Sequence, residues 1–407
     1  MSVNREFAHI SFHQTLEQPA PVHVALPDLI GGFSLAIDLA EGKPLRHAQS
    51  ISFLADHVAQ ALCIGGSERD ALYYAALLHD IGVSSQNQLC PLCQVFEEEG
   101  KLDSVTSLID ADQALHRRWE RWDGSGPLAL RGQAIPLVAR ILAVAVAAER
   151  VGGEHRDFWN WRTRVEDYFQ RDTGVFDPAI VAALKALLRD RAFCLDLFAF
   201  SQGRVVDRFR PEETITLAGG TMHLLGKAFA RFIDVKTPFT ADHSRNVADW
   251  SRRIAGAMAL PEARKHQIYL AGLLHDLGKI AIPKAILEKA GPLTAKEFDL
   301  VRNHPYYTAC ILNQIPALET IALWASAHHE RLDGSGYFLG ITGEMLPMEA
   351  RIIAVADVYE ALAADRPYRK GLETAAIQGM LKEMAYRRHL DADVVEALDG
   401  LLGGQCC

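Results

Sequence analysis

Long hydrophobic runs are missing from this chain. Its most apolar stretch, Ile141 to Ala148, falls far short of the roughly 20 residues that a membrane helix needs. The first residues, Met1-Ser2-Val3-Asn4-Arg5-Glu6, lack a basic segment followed by an apolar core, so no membrane span is expected and the chain reads as cytoplasmic. A basic excess is missing too: 42 Lys and Arg stand against 51 Asp and Glu, a formal net charge of −9. That balance excludes a general binder of nucleic-acid polymers or anionic membranes, and favours a small anionic ligand held by a local basic pocket. Cysteine is sparse, seven residues and an odd number, so reduced thiols are expected rather than a disulfide framework. Cys90-Pro91-Leu92-Cys93 has the spacing of zinc sites and redox pairs, but no second pair of ligands stands at a matching distance. Cys406-Cys407 follows Gly403-Gly404 as a tail without a prenylation signal. Alternating β-branched runs are scarce, limited to Val22–Ala25 and Arg204–Asp207.

What is present is helical. With 49% hydrophobic and 23% charged residues the chain is an ordinary globular protein, and 407 residues suffice for two or three domains. Apolar residues recur at i, i+3, i+4 and i+7 in Asp177–Leu188, Glu262–Leu274, Ala317–His329 and Arg351–Ala364, with Asp or Pro near several starts. The expected fold class is all-α: two tandem helical bundles with a few small strands at most. We place an N-terminal segment at 1–27, a first domain at 28–200, a polar connector at 201–213, a second domain at 214–402 and a tail at 403–407.

Metal-ligand side chains crowd the second half. His243, His275-Asp276, His304, His328-His329 and Asp357 supply imidazole and carboxylate, the set expected for catalytic iron, manganese or zinc. Seven such groups exceed what one ion needs, so two ions are the natural count.

The chain also repeats itself. His47 precedes His79-Asp80 by 32 residues, and His243 precedes His275-Asp276 by the same 32. Glu120-Arg121-Trp122-Asp123-Gly124-Ser125-Gly126 matches Glu330-Arg331-Leu332-Asp333-Gly334-Ser335-Gly336 at an offset of 210, and Ala139-Arg140-Ile141-Leu142-Ala143 matches Ala350-Arg351-Ile352-Ile353-Ala354 at 211. The first copy is damaged. Val83 stands opposite Lys279, Arg118-Trp119 opposite His328-His329, and Val146 opposite Asp357, so only His47, His79 and Asp80 persist. Apolar and cationic replacements oppose a metal there, and the first copy is expected to be a folded pseudo-domain for dimerisation, sensing or regulation.

The motifs His275-Asp276-Leu277-Gly278-Lys279, His328-His329-Glu330-Arg331-Leu332-Asp333-Gly334-Ser335-Gly336-Tyr337 and Asp365-Arg366-Pro367-Tyr368-Arg369-Lys370 resemble the HD-GYP family of bacterial phosphodiesterases over about residues 220 to 400. The family's Gly-Tyr-Pro here ends as Gly336-Tyr337-Phe338, which puts loop shape and partner contacts in question more than chemistry. The resemblance implies that His243, His275, Asp276 and Asp357 hold one ion while Asp276 bridges to a second held by His304, His328 and His329. The ions would be iron, with manganese as the alternative. Some members place a Glu four residues before the first His and bind a third metal; here that position is Phe239, so two ions are expected. Such a pair clamps a phosphodiester and brings a bridging water towards ionisation near neutral pH. Asp276 and Lys279 are the expected catalytic groups, and Lys279, Arg366 and Arg369 the substrate-binding cations. The implied function is hydrolysis of cyclic di-GMP to the linear dinucleotide and on to GMP; 3′,3′-cyclic GMP-AMP is the alternative substrate, and a non-catalytic dinucleotide receptor the alternative class. Partners would then be the cyclic dinucleotide, a GGDEF-type synthase or other signalling proteins, and a second copy in a homodimer.

Overall fold

The computed structural model describes residues 22–44, 47–81, 91–98, 105–152, 158–172, 174–201, 210–217, 226, 229, 241–289, 291–365 and 370–403. The chain divides into two compact units, one from Ala25 to Ile215 and one from Thr216 onward that also takes Val22–Val24. The elements of the first are α1 (Leu26–Ala40), α2 (His47–Ala61), α3 (Ser67–Leu77), α4 (Pro91–Glu98), α5 (Thr106–Arg117), α6 (Leu137–Gly152), α7 (Phe158–Gln170), α8 (Pro178–Leu187) and α9 (Arg191–Ser201). Those of the second are α10 (Ala241–Ala257), α11 (Glu262–Leu274), a 3₁₀ turn at Leu277–Ala281, α12 (Lys284–Leu287), α13 (Ala295–Val301), α14 (His304–Leu312), α15 (Glu319–Ser326), α16 (Met348–Ala363), α17 (Thr374–Tyr386) and α18 (Ala392–Gly403). Strands β1 (Val22–Ala25) and β2 (Thr214–Leu217) pair in a two-stranded sheet, and the division between units falls within both. The fold class is all-α, as read from the sequence.

Several helices start and stop where side chains require it. Asp177 caps α8 by accepting from the Ala179 amide, with Pro178 at the first helical position, where its missing N–H costs nothing. Thr294 and Glu297 form a reciprocal capping box on α13. The expected helix Ala317–His329 is shorter than its periodicity suggests: a 3₁₀ turn fills Pro316–Leu318, and α15 ends at Ser326. There the Ser326 hydroxyl donates to the Leu323 carbonyl and the His328 ring to that of Ala325, so side chains hold the last turn and His328 turns inward. The second strand lies at Thr214–Leu217, and the expected one at Arg204–Asp207 falls outside the described residues. Residues 210–213 of the expected connector are fastened to the first unit: Arg210 pairs with Asp28, and Glu213 accepts from the Leu26 amide and the Ser107 hydroxyl.

Within the second unit α10 packs on α11 and α16, the 3₁₀ turn on α14, and α15 on α11 and α14. Ile352, Ile353, Val355 and Ala356 of α16 and Ala271 and Leu274 of α11 are wholly buried at that junction of helices. In the first unit α2 packs in the same way on α3 and α6, and Ile51, Val58, Leu72, Leu142 and Val144 are buried there. Local devices recur in both units. Glu120 and Glu330 are buried and accept loop amides, from Leu128 and Leu130 in one and from Phe338, Leu339 and Gly340 in the other. Gly124 and Gly334 both have positive φ, 83° and 80°. Arg140 ties Ile135 O to Asp177, and Arg351 ties Leu346 O to Asp391. The Gly-Ser-Gly loop is thus a structural element, kept where the metal ligands are lost. Phe338 fits it without strain, since its amide donates to Glu330 at 3.1 Å, a bond that proline in its place would forgo. Cys93 is buried beneath α5, and Cys90 lies outside the described residues.

Candidate metal centre

Five elements of the second unit aim the seven ligand side chains at one point. His243 comes from α10, His275 and Asp276 from the end of α11, His304 from the first residue of α14, His328 and His329 from the turn after α15, and Asp357 from the middle of α16. Their donor atoms form overlapping groups whose members all lie within 4.8 Å of one another: His243, His275 and Asp276; His275, His328 and Asp357; His304, His328 and His329.

The two oxygens of Asp276 face opposite ways. Oδ2 lies 3.6 Å from His243 Nε2 and 3.2 Å from His275 Nε2, whereas Oδ1 lies 3.2 Å from His304 Nε2. Asp357 Oδ1 closes the first group, 3.2 Å from His243 Nε2 and 3.8 Å from His275 Nε2. Backbone carbonyls fix the tautomers: the Nδ1 atoms of His275, His304 and His328 sit 2.7, 2.7 and 2.6 Å from the carbonyls of Gly272, Val301 and Ala325. A carbonyl only accepts, so each Nδ1 carries the proton and each Nε2 turns a bare lone pair inward. His304 Nε2 and His328 Nε2 then face each other at 3.4 Å, and His275 Nε2 and Asp276 Oδ1 are buried without a hydrogen-bond partner. Acceptors converging with no donor between them are costly unless a cation satisfies them. The donor set therefore fits transition-metal ions.

The electrostatics agree. Burial alone would raise the Asp276 and Asp357 carboxyls, but the neighbouring imidazoles, with Lys279 beside Asp276, hold both well below the usual carboxylate range. Burial pushes the His328 imidazole well below its ordinary value and that of His329 down to about 3. For His243, burial is outweighed by hydrogen bonds to Asp357 and Glu360, which lift it to about 9. Ionised Asp276 and Asp357 with neutral His328 and His329 are in the protonation states that metal binding requires, whereas His243 would have to give up a proton to ligate.

Residues that sequence reading missed support these seven from behind. Glu360, buried on α16, takes the Nδ1 proton of His243 and a bond from Asn246 at 3.3 Å. It fixes the His243 ring, which no carbonyl orients. Its signal was in the repeat, since Glu149 stands 211 residues earlier and accepts from His47 Nδ1 at 2.8 Å. Gly278 donates to Thr308 Oγ1 at 2.9 Å while that hydroxyl donates to the His275 carbonyl at 3.0 Å, locking the turn after Asp276 against α14. Tyr337 packs its ring 4.5 Å from that of His329, with the Arg302 guanidinium 4.8 Å over its other side. Lys279 reaches the centre, its Nζ 2.5 Å from Asp276 Oδ2. Phe239, Arg366 and Arg369 lie outside the described residues. The ends of the arginine segment are nonetheless pinned, because the Gly371 amide donates to Asp365 Oδ1 at 2.7 Å and the Leu372 amide to Leu362 O at 3.0 Å.

In the first unit the three surviving groups also meet. Asp80 Oδ2 lies 3.1 Å from His79 Nε2 and 3.8 Å from His47 Nε2, and the His79 Nδ1 is held by the Ala76 carbonyl as that of His275 is by Gly272. Asp38, unnoticed in the sequence, is buried nearby and its carboxyl is raised by that burial to about 6. Val146 and Arg118 line the adjoining cavity where the second unit has Asp357 and His328, and Val83 lies outside the described residues.

Residues 227–394 match the HD domain family. The chain is 27% identical over 422 residues to the 3′3′-cGAMP-specific phosphodiesterase 3 of Vibrio cholerae, covering 88% of this chain and 90% of that one. It is 35% identical over 222 residues to a cyclic di-GMP phosphodiesterase of Pseudomonas aeruginosa, with 53% of this chain and 52% of that one covered, so the chain spans about half of that relative. Among solved structures, that of a cyclic GMP-AMP specific phosphodiesterase of V. cholerae superposes with a TM-score of 0.67 at 26% identity, over 94% of this chain and 98% of that one. With the HD turn, the ordered histidines and the Gly-Tyr-Phe loop in place, the chain belongs to the HD-GYP family of HD-domain proteins.

Proposed function

We propose that the second unit is a dinuclear metal-dependent phosphodiesterase acting on a 3′,3′-linked cyclic dinucleotide, either cyclic di-GMP or cyclic GMP-AMP. The observation that carries this reading is the Asp276 carboxylate, one oxygen facing His243 and His275 and the other facing His304. His243, His275, Asp276 and Asp357 would hold one ion and Asp276, His304, His328 and His329 a second, which when bound would supply Lewis-acid polarisation of a phosphodiester and an ionised water at neutral pH. The protein's own groups do the rest. Glu360 and the three backbone carbonyls keep the His243, His275, His304 and His328 rings oriented while Tyr337 packs on His329, and Lys279 brings a fixed positive charge to the non-bridging oxygens as negative charge grows in the transition state. Arg366 and Arg369, on the short segment that follows α16, take the second phosphate of the ring by bidentate hydrogen bonds. Cyclic GMP-AMP gains weight because a relative of that specificity aligns with this chain nearly end to end, and cyclic di-GMP because relatives named for it share the second unit. The first unit we read as a pseudo-domain, and a cytoplasmic setting follows from the substrate class; no described helix is long and apolar enough to cross a membrane.

The test is steady-state kinetics of iron- or manganese-reconstituted protein on both cyclic dinucleotides and on bis(p-nitrophenyl) phosphate. Arg366→Ala or Arg369→Ala is expected to raise KM for the cyclic dinucleotide about tenfold and to leave the minimal ester, which has no second phosphate, within about twofold. Equal losses on both substrates would contradict the docking. Hydrolysis of the minimal ester but of neither cyclic dinucleotide would leave a phosphodiesterase with a different substrate.

A further inference from the structure

The first unit carries a cavity of about 240 Å³ next to its damaged HD site, lined among others by His79, Arg118, Trp119, Arg121, Arg150 and Tyr168. Tyr168 also lines a second hollow of about 590 Å³ that adds Arg164 and Arg171. Together they offer the space of a small-molecule site.

The charge of this cavity is not balanced. Arg118, Arg121 and Arg150 form no ion pair among the described residues, and the Arg118 guanidinium donates to the Leu115 carbonyl at 2.7 Å. Of the two acidic groups of the lining, Glu120 accepts the Leu128 and Leu130 amides, and Asp80 faces His79 and His47 while also acting on Arg118, so three guanidiniums stand against two carboxylates. Burial opposes the charge of the Arg118 guanidinium and the Asp80 carboxylate offsets this only in part, so an anionic ligand would be favoured beside it. Beside it Trp119 is 59% exposed, a large aromatic face at the cavity rim with the Arg118 guanidinium 4.9 Å from its ring centre. An exposed indole beside a cavity offers a flat face on which a planar ring can stack.

Position explains the exchange. Arg118-Trp119 stands where the second unit has His328-His329, and Val146 where it has Asp357. The lost metal ligands are replaced by a permanent cation and a stacking platform, which binds a phosphate ester without cleaving it. We infer that the first unit is a binding site for a nucleoside monophosphate, its phosphate held by Arg118, Arg121 and Arg150 and its base stacked on Trp119. Guanidinium forks suit phosphate, and aromatic faces suit bases whatever their edge. The site does not depend on turnover in the second unit.

Calorimetric titration of the full chain, treated with chelator to strip the second unit's metals, separates this site from the catalytic one. GMP is expected to bind one per chain with a Kd of about 10–100 μM, and guanosine, lacking the phosphate, not to bind. Arg118→Gln should weaken both GMP and inorganic phosphate about tenfold or more, and Arg150→Gln, at an exposed position, should do the same with no effect on folding. Trp119→Ala should weaken GMP about tenfold and leave inorganic phosphate unchanged. No heat with GMP, or binding indifferent to Arg118→Gln and Arg150→Gln, overturns the site. Equal affinity for GMP and inorganic phosphate overturns its assignment to a nucleotide.

Discussion

Asp276→Ala is expected to lower hydrolysis of either cyclic dinucleotide by roughly three to four orders of magnitude, the several kcal/mol that Lewis-acid stabilisation contributes. The carboxylate's two oxygens face the two sides of the centre, and its removal leaves His304 facing His328 across 3.4 Å without the group that faces both His275 and His304. A change in the corresponding His79-Asp80 pair of the first unit is expected to have no such consequence. His79→Ala removes a ring bound to Ala76 O and Asp80, in a unit with Val146 in place of a ligand carboxylate, and should leave the chemical step within about threefold. Initial rates at matched metal content, with circular dichroism to confirm folding, compare the two. Abolished turnover in a folded, metal-loaded His79→Ala protein would contradict the assignment of chemistry to the second unit.

Gly278→Ala is expected to cost about a hundredfold in activity with a measurable loss of metal, although residue 278 ligates nothing. A Cβ there would meet His304 O at 2.0 Å and the Thr308 amide at 2.5 Å, both backbone atoms that no rotamer change can move aside. Relief requires α14 to shift away from the HD turn, and α14 carries His304 at its first residue. Thr308→Ala, which removes only the hydroxyl bridging Gly278 N and His275 O, should cost about tenfold or less. Gly379→Ala is the control: an added Cβ meets nothing within 4 Å on α17, and helix propensity predicts unchanged or slightly raised stability. Metal content and rates of the three variants should therefore fall in the order Gly278, Thr308, Gly379. A Gly278→Ala protein with normal rates would show that the turn does not position His304.

The convergence of the seven candidate side chains was legible because their chemistry is rare and their order strict: seven imidazoles and carboxylates at motif spacing need no knowledge of packing. The all-α fold was legible from periodicity, and α11 begins and ends at Glu262 and Leu274 as its apolar pattern predicts. Where side chains compete for backbone groups, periodicity misleads. Ala317–His329 reads as one helix, but His328 and Ser326 occupy carbonyls of the last turn and end it early. Glu360 was overlooked because a Glu on an apolar helix reads as a surface group until the fold brings His243 to it from more than a hundred residues away. Gly278 and Thr308 were invisible for a similar reason: a glycine required by the approach of another backbone has no one-dimensional signature. β2 was missed because four residues of alternating pattern are too few to stand out without their partner β1.

Elemental analysis of the purified full-length protein tests the central claim most directly. Two transition-metal ions per chain are expected, iron first and manganese as the alternative, falling below one in Asp276→Ala and unchanged in His79→Ala. A metal content that survives Asp276→Ala and disappears with His79→Ala would place the ions in the first unit and contradict the dinuclear centre proposed here.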